Sequence, residues 1–240
     1  MIDPRVLAEG GILLVDKPEA WTSHDVVNCV RRRFRIDKVG HCGTLDPNAT
    51  GLLVVVLGRA TKLAGRLSGQ DKTYCGSMRL GVETSTQDRE GEVTATRDVV
   101  GVTPERIEEV VSHFRGDLQQ IPPMVSAVKK DGRPLYKLAR KGIEVEREPR
   151  PVHISELSIT GIELPFVHFR VVCSKGTYVR TLCADIGREL GCGAHLHALR
   201  RLASGRFSLD GAVTIDAIKS WEREQLFAHM IPLTRVLPYL

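Results

Sequence analysis

Residues 40–51 combine a single carboxylate with glycine and proline residues at the spacing of a tight, ordered loop. Gly43 and Gly51 permit backbone angles and close approaches that larger residues avoid. Pro47 removes a backbone donor directly after Asp46 and biases Asp46 away from the helical region. An isolated Asp-Pro pair is more often a solvated turn, so we place candidate chemistry at Asp46 on the strength of the wider pattern.

The segments next to this loop predict a firm support for it. Residues 52–57 are apolar and rich in β-branched side chains, which predicts a buried strand. Residues 11–15 form a second apolar run, and Thr22 and Ser23 offer caps for a helix that continues to about Phe34. The carboxylate is therefore expected on a loop anchored by a core strand.

The C-terminal end of that helix is strongly basic. Four arginines lie there: Arg31, Arg32, Arg33 and Arg35. Cations suit the negative end of a helix dipole, but four exceed what a dipole needs, so we predict a phosphate-facing patch. Residues 129–150 are also dense in basic side chains, and either a solvated face or a second RNA-facing surface would account for them.

Further candidates lie on elements predicted later in the chain. Residues 72–80 alternate as a strand that carries Tyr74, and residues 81–91 predict an exposed loop. Residues 152–164 and 167–173 predict two more strands.

Arg180 lies in the first turn of a helix predicted to open at Gly176 and to close at Gly191. The helix dipole disfavours a cation at that end, so we expect a nearby carboxylate to compensate it; a plain surface arginine is the alternative. The candidate partners are Asp46, Asp185 and Glu189.

The last part of the chain predicts one further basic face. Residues 194–203 predict a helix with Leu196 and its apolar neighbours inside and with Arg200 and Arg201 outside. Beyond Gly205 we expect one short strand, one helix and a tail.

Composition limits the class of protein. The chain has 240 residues, 42% of them hydrophobic, which suits one large domain or one domain with a small appendage. The net charge of +5 is compatible with a polyanionic partner. The 6 cysteines show no Cys-x-x-Cys pairing and the N-terminus has no signal-peptide pattern, so we expect reduced thiols in a cytoplasm. No apolar stretch is long enough to cross a bilayer.

Other kinds of site fit the sequence less well. Cys192, His195 and His197 are close together, but zinc needs further ligands that no second cluster supplies. The chain lacks the Gly-x-Ser-x-Gly elbow of hydrolases and the Gly-x-x-x-x-Gly-Lys phosphate loop, and a glycosidase would need a second placed carboxylate. We therefore predict neither a metal nor a cofactor.

The loop sequence GHxGTLDPxATGLL, residues 40–53, resembles the catalytic motif of the tRNA pseudouridine synthase B (TruB) family. Further segments resemble the family in the expected order, so that the similarity spans nearly the whole chain. They are LVDKP at residues 14–18, WTS at 21–23, DKTY at 71–74, PPMVSAVK at 122–129, SKGTYVR at 174–180, and GCGAH at 191–195 leading to LRR at 199–201.

The resemblance implies an α/β (α+β) fold, in which a mixed, largely antiparallel central sheet is flanked by helices and loops around a central RNA cleft. It implies an enzyme that isomerises a uridine in the T loop of tRNA, position 55, to pseudouridine without cofactor or metal. We expect residues 1–229 to form the catalytic domain and residues 230–240 a short C-terminal tail, with no full RNA-binding PUA domain. The expected partner is the T arm of tRNA, and the expected state is a monomer.

The resemblance also implies roles for single residues. Asp46 would be the nucleophile, attacking either C6 of the uracil or C1′ of the ribose and leaving again. Arg180 would pair with Asp46, and Tyr74 would lie against the flipped base and take its proton. His41 would fill the space left by the extruded base. The other implied substrate contacts are Tyr178, Leu199 and Lys17; the implied RNA-backbone contacts are Arg31, Arg32, Arg33, Arg200 and Arg201.

Some positions depart from the family pattern. Cys42 and Asn48 stand where Thr and Leu are more common, and Val125 stands where an aromatic residue is common, so pocket detail rather than activity is in question. Two other functions share part of the pattern: a guide-RNA-dependent pseudouridine synthase and a non-catalytic tRNA-folding chaperone.

Overall fold

The computed structural model describes residues 10–126, 128–130, 132–139 and 142–236. The fold is mixed α+β and most of its strand pairs are antiparallel, which confirms the predicted fold class. The strands are β1 Gly11–Lys17, β2 Val39–His41, β3 Thr50–Leu57, β4 Lys72–Leu80, β5 Val82–Thr84, β6 Val93–Thr96, β7 Gly116–Gln120, β8 Lys129–Lys130, β9 Arg133–Pro134, β10 Arg150–Glu163, β11 Phe166–Cys173, β12 Ala194–Ser204, β13 Phe207–Ser208, β14 Val213–Thr214 and β15 Ile231–Pro232.

The helices are mostly short. They are α1 Ser23–Phe34, α2 Ala64–Ser68, α3 Pro104–His113, α4 Leu135–Ala139, α5 Val179–Glu189, α6 Ile215–Ser220, α7 Arg223–His229 and α8 Leu233–Val236, with a 3-10 helix over Gly58–Leu63. The longest of them, α1, begins as the sequence predicts, because Thr22 caps it: the Thr22 side chain accepts from the Asp25 backbone, and the Asp25 side chain accepts from Thr22.

The described chain forms two compact units, one containing residues up to 74 together with those from 199 onward, and the other containing residues 75–198. In the first unit, β1 and β3 pair antiparallel along their length, and β3 pairs in parallel with the end of β12. Strand β2 adds to β3, while β14 and β15 add to β1.

Strand β3 is buried on both faces, as its unbroken apolar sequence predicts. Its odd-numbered side chains from Leu53 to Leu57 pack with Val26, Val30 and Phe34 of α1 in one hydrophobic cluster. The alternate side chains Leu52, Val54 and Val56 belong to a second cluster with residues of β1. The loop that precedes β3 is therefore attached to the most deeply buried strand of this unit.

In the second unit, β10 pairs antiparallel with β7 and with β11. The inner face of α3 is buried through Ile107, Val110 and Val111, and α5 is buried along its apolar stripe, as the helical spacing predicts.

Four predictions of local structure differ from the structure. Beyond Gly205 the described residues form three short strands, β13, β14 and β15, and three helices, α6, α7 and α8, where one strand and one helix were expected. Residues 194–203 form strand β12 rather than a helix, because they pair with β3 and β13. The predicted exposed loop begins as β5, which forms a hairpin with β6. Of the expected tail, residues 231–236 form β15 and α8, and Val236 is buried in a core cluster; residues 237–240, like Arg140 and Lys141 of the basic stretch, lie outside the described residues.

Candidate active site

The Asp46 loop connects β2 to β3 and is held through its backbone. Both glycines flagged by the sequence have positive φ, +94° at Gly43 and +97° at Gly51. A Cβ added at Gly51 would lie 2.3 Å from the carbonyl oxygen of Arg201, so only glycine fits against the neighbouring strand there. Asp46 itself is half-buried on this loop, between buried Leu45 and exposed Pro47.

Lys17 supports the loop by a hydrogen bond to its backbone. Its side chain is fully buried, and Nζ donates to the carbonyl oxygens of Pro18 at 2.9 Å, Trp21 at 2.6 Å and Pro47 at 3.0 Å. These contacts use all three hydrogens of the ammonium group. In this structure Lys17 ties the residue after Asp46 to the end of β1, and its contact with the substrate stays a prediction.

Burial also shifts the protonation of this lysine. Desolvation lowers the pKa of Lys17 from 10.5 to about 8, while the nearby carboxylate of Asp46 acts in the opposite direction. The ammonium is thus a buried charge close to Asp46.

Arg201 is a second buried cation at the loop. Its side chain is 1% exposed; Nε donates to the carbonyl oxygen of Leu52 at 2.7 Å and Nη2 to that of Gly43 at 3.0 Å, so it joins the two ends of the loop. The predicted outer-face position of Arg201 is wrong because the segment is a strand. Arg200 is half-exposed and makes a two-pronged ion pair with Asp16, at 3.0 and 2.7 Å.

Three other predicted site residues belong to the same unit. His41 ends β2, and burial lowers its pKa below 6.5, aided by the charges of Arg201 and His24. Its Nδ1 is buried and has no hydrogen-bond partner in the described part of the chain. Tyr74 is nearly buried on β4, and Leu199 is half-buried on β12.

The arginines at the end of α1 have different environments. Arg31 binds the Asn28 side chain at 2.7 Å and the Val39 carbonyl oxygen at 3.1 Å, while Arg33 forms an ion pair with Glu222 at 2.8 Å. Arg32 and Arg35 are exposed. The fold therefore explains two of the four basic residues and leaves Arg32 and Arg35 facing solvent.

Arg180 lies in the first turn of α5, in the second unit, and its side chain is 6% exposed. Nη1 lies 3.2 Å from Oδ2 of Asp88 and 3.3 Å from the Thr86 carbonyl oxygen, and Nη2 donates to the Val125 carbonyl oxygen at 3.0 Å. The expected compensating carboxylate is confirmed, and Asp88 is one that the sequence did not single out.

The alternative partners considered for Arg180 have other contacts. Asp185 binds Arg188 at 2.7 Å, and Glu189 binds His113 at 2.6 Å. The turn that carries Asp88 is itself held, because the Thr84 hydroxyl donates to the Asp88 carbonyl oxygen at 2.6 Å.

Tyr178 is the N-cap residue of α5 and is fixed through its backbone. Buried Gln120 accepts from its N–H at 2.7 Å and donates to its carbonyl oxygen at 3.1 Å. Gln120 closes β7 and gave no signal in the sequence. For Asp88, the run Ser-Thr-Gln-Asp followed by Gly91 was a usable signal, since such residues favour side-chain-stabilised turns.

Within the described ranges, no group of histidine, cysteine and acidic side chains could hold a metal ion. No helix in that part of the chain is long and apolar enough to cross a membrane.

Comparison with known families identifies the family of this chain. A model described as the N-terminal domain of the TruB family pseudouridylate synthases matches residues 31–179. A second, described as the tRNA pseudouridylate synthase B C-terminal domain, matches residues 180–238. The chain belongs to the TruB family. It is therefore an enzyme of the isomerase class, and the TruB family match includes the loop of Asp46, the strand of Tyr74 and the helix of Arg180.

Named members of the TruB family are similar over nearly the whole chain. The tRNA pseudouridine synthase B of Opitutus terrae is 49% identical, with 99% of this chain and 98% of the relative covered. That of Syntrophotalea carbinolica is 50% identical, with 96% of this chain and 76% of the relative covered.

Solved structures show the same fold in larger assemblies. A chain from a Cbf5-Nop10-Gar1 complex has a TM-score of 0.76 and 30% identity, covering 98% of this chain and 64% of that one. A chain from an H/ACA RNP bound to a substrate RNA containing 2′-deoxyuridine has a TM-score of 0.72 and 27% identity, covering 100% and 64%. This TruB family member thus spans just under two thirds of each of those chains.

Proposed function

We propose that this enzyme isomerises the uridine at position 55 in the T loop of tRNA to pseudouridine, recognising the RNA directly. The observation that carries the proposal is the anchored Asp46 loop, whose neighbouring residues are fixed by buried Lys17 and Arg201. The names of relatives at 49% and 50% identity support tRNA as the substrate. We further propose that it acts as a monomer in the cytoplasm.

The chemistry requires a nucleophile that leaves again. The C–N glycosidic bond of uridine breaks, the uracil turns, and a C–C bond forms to the same ribose carbon, so a transient bond from Asp46 to C6 of the base or to C1′ of the sugar must form and then break. The uracil must first leave the base stack, which costs a few kcal/mol, and contacts in the pocket must offset this cost. Neither route needs a metal or an organic cofactor.

In this proposal Arg180 pairs with Asp46 and keeps it ionised and aimed. The first turn of α5 opposes a cation through the helix dipole, and Asp88 together with two backbone carbonyls stabilises the guanidinium there. An arginine has five N–H donors in a fixed planar fork, so it can bind Asp88 and still serve a second carboxylate.

The remaining pocket residues act on the base. Tyr74 lies against the flipped uracil and takes the proton released as the isomerised base regains its aromatic form. Tyr178 and Leu199 line the uracil pocket. His41 fills the space that the base leaves in the T loop, and its lowered pKa favours the neutral ring, which stacks without adding a charge.

The proposed contacts to the RNA backbone come from exposed cations. Arg32 is the main candidate, because Arg31 and Arg33 already have partners. Arg200 could exchange part of its ion pair with Asp16 for a phosphate, since its side chain is 40% exposed. Arg201 is withdrawn from this group, because its guanidinium holds two backbone carbonyls in the interior.

A guide-RNA-dependent activity is the second candidate. It is favoured by the fold shared with a chain of an H/ACA RNP, an RNA-containing assembly that is bound to a substrate RNA, but identity there is 27%, against 49% and 50% for the two tRNA pseudouridine synthases. A tRNA-folding chaperone without catalysis would not need the Asp46 carboxylate at all.

One experiment tests the three candidates. Pure protein is incubated with an unmodified tRNA transcript and no other RNA, and pseudouridine is mapped; formation at position 55 is expected. Asp46→Asn should abolish turnover and leave tRNA binding within about tenfold, because affinity comes from distributed phosphate contacts. Asp37→Asn changes an exposed aspartate and serves as the control. Full activity of Asp46→Asn, or activity only with an added guide RNA, would overturn the proposal.

A further inference from the structure

Ser23 makes an unusual contact with the residue before Asp46. It is the first residue of α1 and is 2% exposed. The N–H of Leu45 donates to the Ser23 Oγ at 2.8 Å, and the same hydroxyl donates to the carbonyl oxygen of Leu45 at 3.1 Å. One side chain thus satisfies both backbone groups of Leu45, which is itself only 3% exposed.

This contact is separate from the capping of the helix. The cap residue is Thr22, whose hydroxyl accepts from the Asp25 backbone N–H at 3.0 Å. In return, the Asp25 carboxylate accepts from the Thr22 backbone N–H. The Ser23 hydroxyl donates its hydrogen bond to the Leu45 carbonyl oxygen, so it supports the loop rather than the helix end.

The carbonyl groups of three consecutive residues around Asp46 each accept a hydrogen bond. The carbonyl of Leu45, which belongs to the peptide joined to the Asp46 nitrogen, is held by Ser23. The carbonyl of Asp46 accepts from the Ala49 N–H at 3.1 Å. The carbonyl of Pro47 accepts from buried Lys17, as well as from a backbone N–H of the preceding loop. With the planes on both sides fixed, the direction of the Asp46 side chain is set by its own two torsions.

We infer that Ser23 is a positioning residue for Asp46, acting through the Leu45–Asp46 peptide. The inference rests on the proposed function of Asp46 as the nucleophile. Water has little access to Leu45, so removing the hydroxyl leaves a buried N–H and a buried C=O without partners. The loop then shifts to satisfy them and carries the carboxylate away from its line of attack.

The test compares substitutions at adjacent positions of one helix end. Ser23→Ala should lower kcat by roughly tenfold to a hundredfold, because small displacements of a reacting group cost rates of that order. KM and tRNA affinity should stay within about threefold. Thr22→Ala removes the helix cap without touching Leu45, so it should lower the urea unfolding midpoint while kcat stays within about threefold. Ser23→Thr, which keeps the hydroxyl, should recover most of the lost rate.

A cysteine variant covers the case in which Ser23→Ala folds poorly. Ser23→Cys keeps a side chain of similar shape but a weak hydrogen-bonding group, so a folded Ser23→Cys enzyme should show the same selective loss of kcat. The inference is overturned if Ser23→Ala or Ser23→Cys keeps the wild-type kcat, if the loss falls on KM, or if Thr22→Ala loses kcat in the same proportion to its loss of stability. Inactive Asp46→Asn beside fully active Ser23→Ala would overturn this inference alone, whereas active Asp46→Asn would overturn the proposed function.

Discussion

Replacing Lys17 with methionine should change how the stability of the protein depends on pH. The ammonium is fully buried and holds three carbonyl oxygens, one of which, on Pro47, also accepts from the backbone N–H of Ala20 at 3.0 Å. Methionine is similar in length but donates no hydrogen bonds, so Lys17→Met leaves the carbonyls of Pro18 and Trp21 without this donor. Each buried unpaired carbonyl costs about 1–3 kcal/mol, against which stands the relief of a buried charge.

The magnitude follows from the pKa of the wild-type ammonium. Lys17 has a pKa of about 8 in the folded protein and 10.5 as its ordinary value. Between these values the unfolded chain binds more protons than the folded one, so this group makes wild-type stability rise with pH across the window. At about 1.4 kcal/mol for each pKa unit, the full rise is roughly 3 kcal/mol. Lys17→Met lacks this contribution, so the free energy of unfolding lost by the mutation should grow by about that amount from pH 7 to pH 10.5.

The assay is urea denaturation of both proteins at several pH values from 7 to 10.5, in the presence of a reductant. Tryptophan fluorescence is a suitable signal, because the 2 tryptophans, Trp21 and Trp221, both lie in the unit that contains Lys17. Lys38→Met removes an exposed ammonium and is the matched control. A difference between wild type and Lys17→Met that stays constant over this range would refute the reasoning that burial dominates the pKa of Lys17.

Two further substitutions test the base pocket and the RNA path. Tyr74→Phe should bind tRNA and fail to release product in single-turnover assays, whereas Tyr74→Leu should also weaken binding by ~1–3 kcal/mol through lost stacking; normal turnover by Tyr74→Phe would remove Tyr74 from proton transfer. Arg32→Ala should reduce the slope of log affinity against log salt by roughly 0.7 to 0.9 with little change in kcat, because a phosphate contact positions ground and transition states alike. Arg31→Ala, the paired neighbour, should mainly lower stability. An unchanged slope for Arg32→Ala would move the proposed RNA path to the basic residues of 129–150.

The sequence predicted secondary structure and buried faces correctly where a local signal and the tertiary structure agree. The cap at Thr22, the apolar stripe of α1 and the continuous apolar run of β3 each specify one element and its buried face. The glycine pattern of the Asp46 loop also has a local cause, because Gly43 and Gly51 adopt positive φ.

The prediction failed for β12 because its sequence carries a helical spacing. Leu196, Leu199 and Leu202 recur every three residues, which matches a helix face, and two arginines follow each other as on a polar side. Pairing with β3 and β13 overrides this local preference. In a strand, Arg200 and Arg201 point to opposite faces, so one meets solvent and the other enters the interior.

Buried polar groups were the least predictable part of the site. Lys17, Ser23, Gln120 and Arg201 are all nearly inaccessible to solvent, and each binds main-chain atoms rather than an acidic side chain in the contacts described. A sequence does not indicate which backbone group a side chain will bind, since every residue has a carbonyl. Nothing in the sequence therefore indicated that Lys17 and Arg201 each hold carbonyl oxygens of the Asp46 loop or its flanks.

Backbone anchoring also explains why the departures from the TruB motif leave the loop intact. Anchors that bind peptide groups place few demands on the side chains between them, so Cys42 and Asn48 can replace the commoner Thr and Leu without removing an anchor. Cys42 is fully buried and keeps its place through its own N–H, which donates to the Val54 carbonyl oxygen at 2.9 Å. The positions that the loop cannot exchange freely are those that set a backbone torsion, which are Gly43 and Gly51 with their positive φ and Pro47 with its fixed φ.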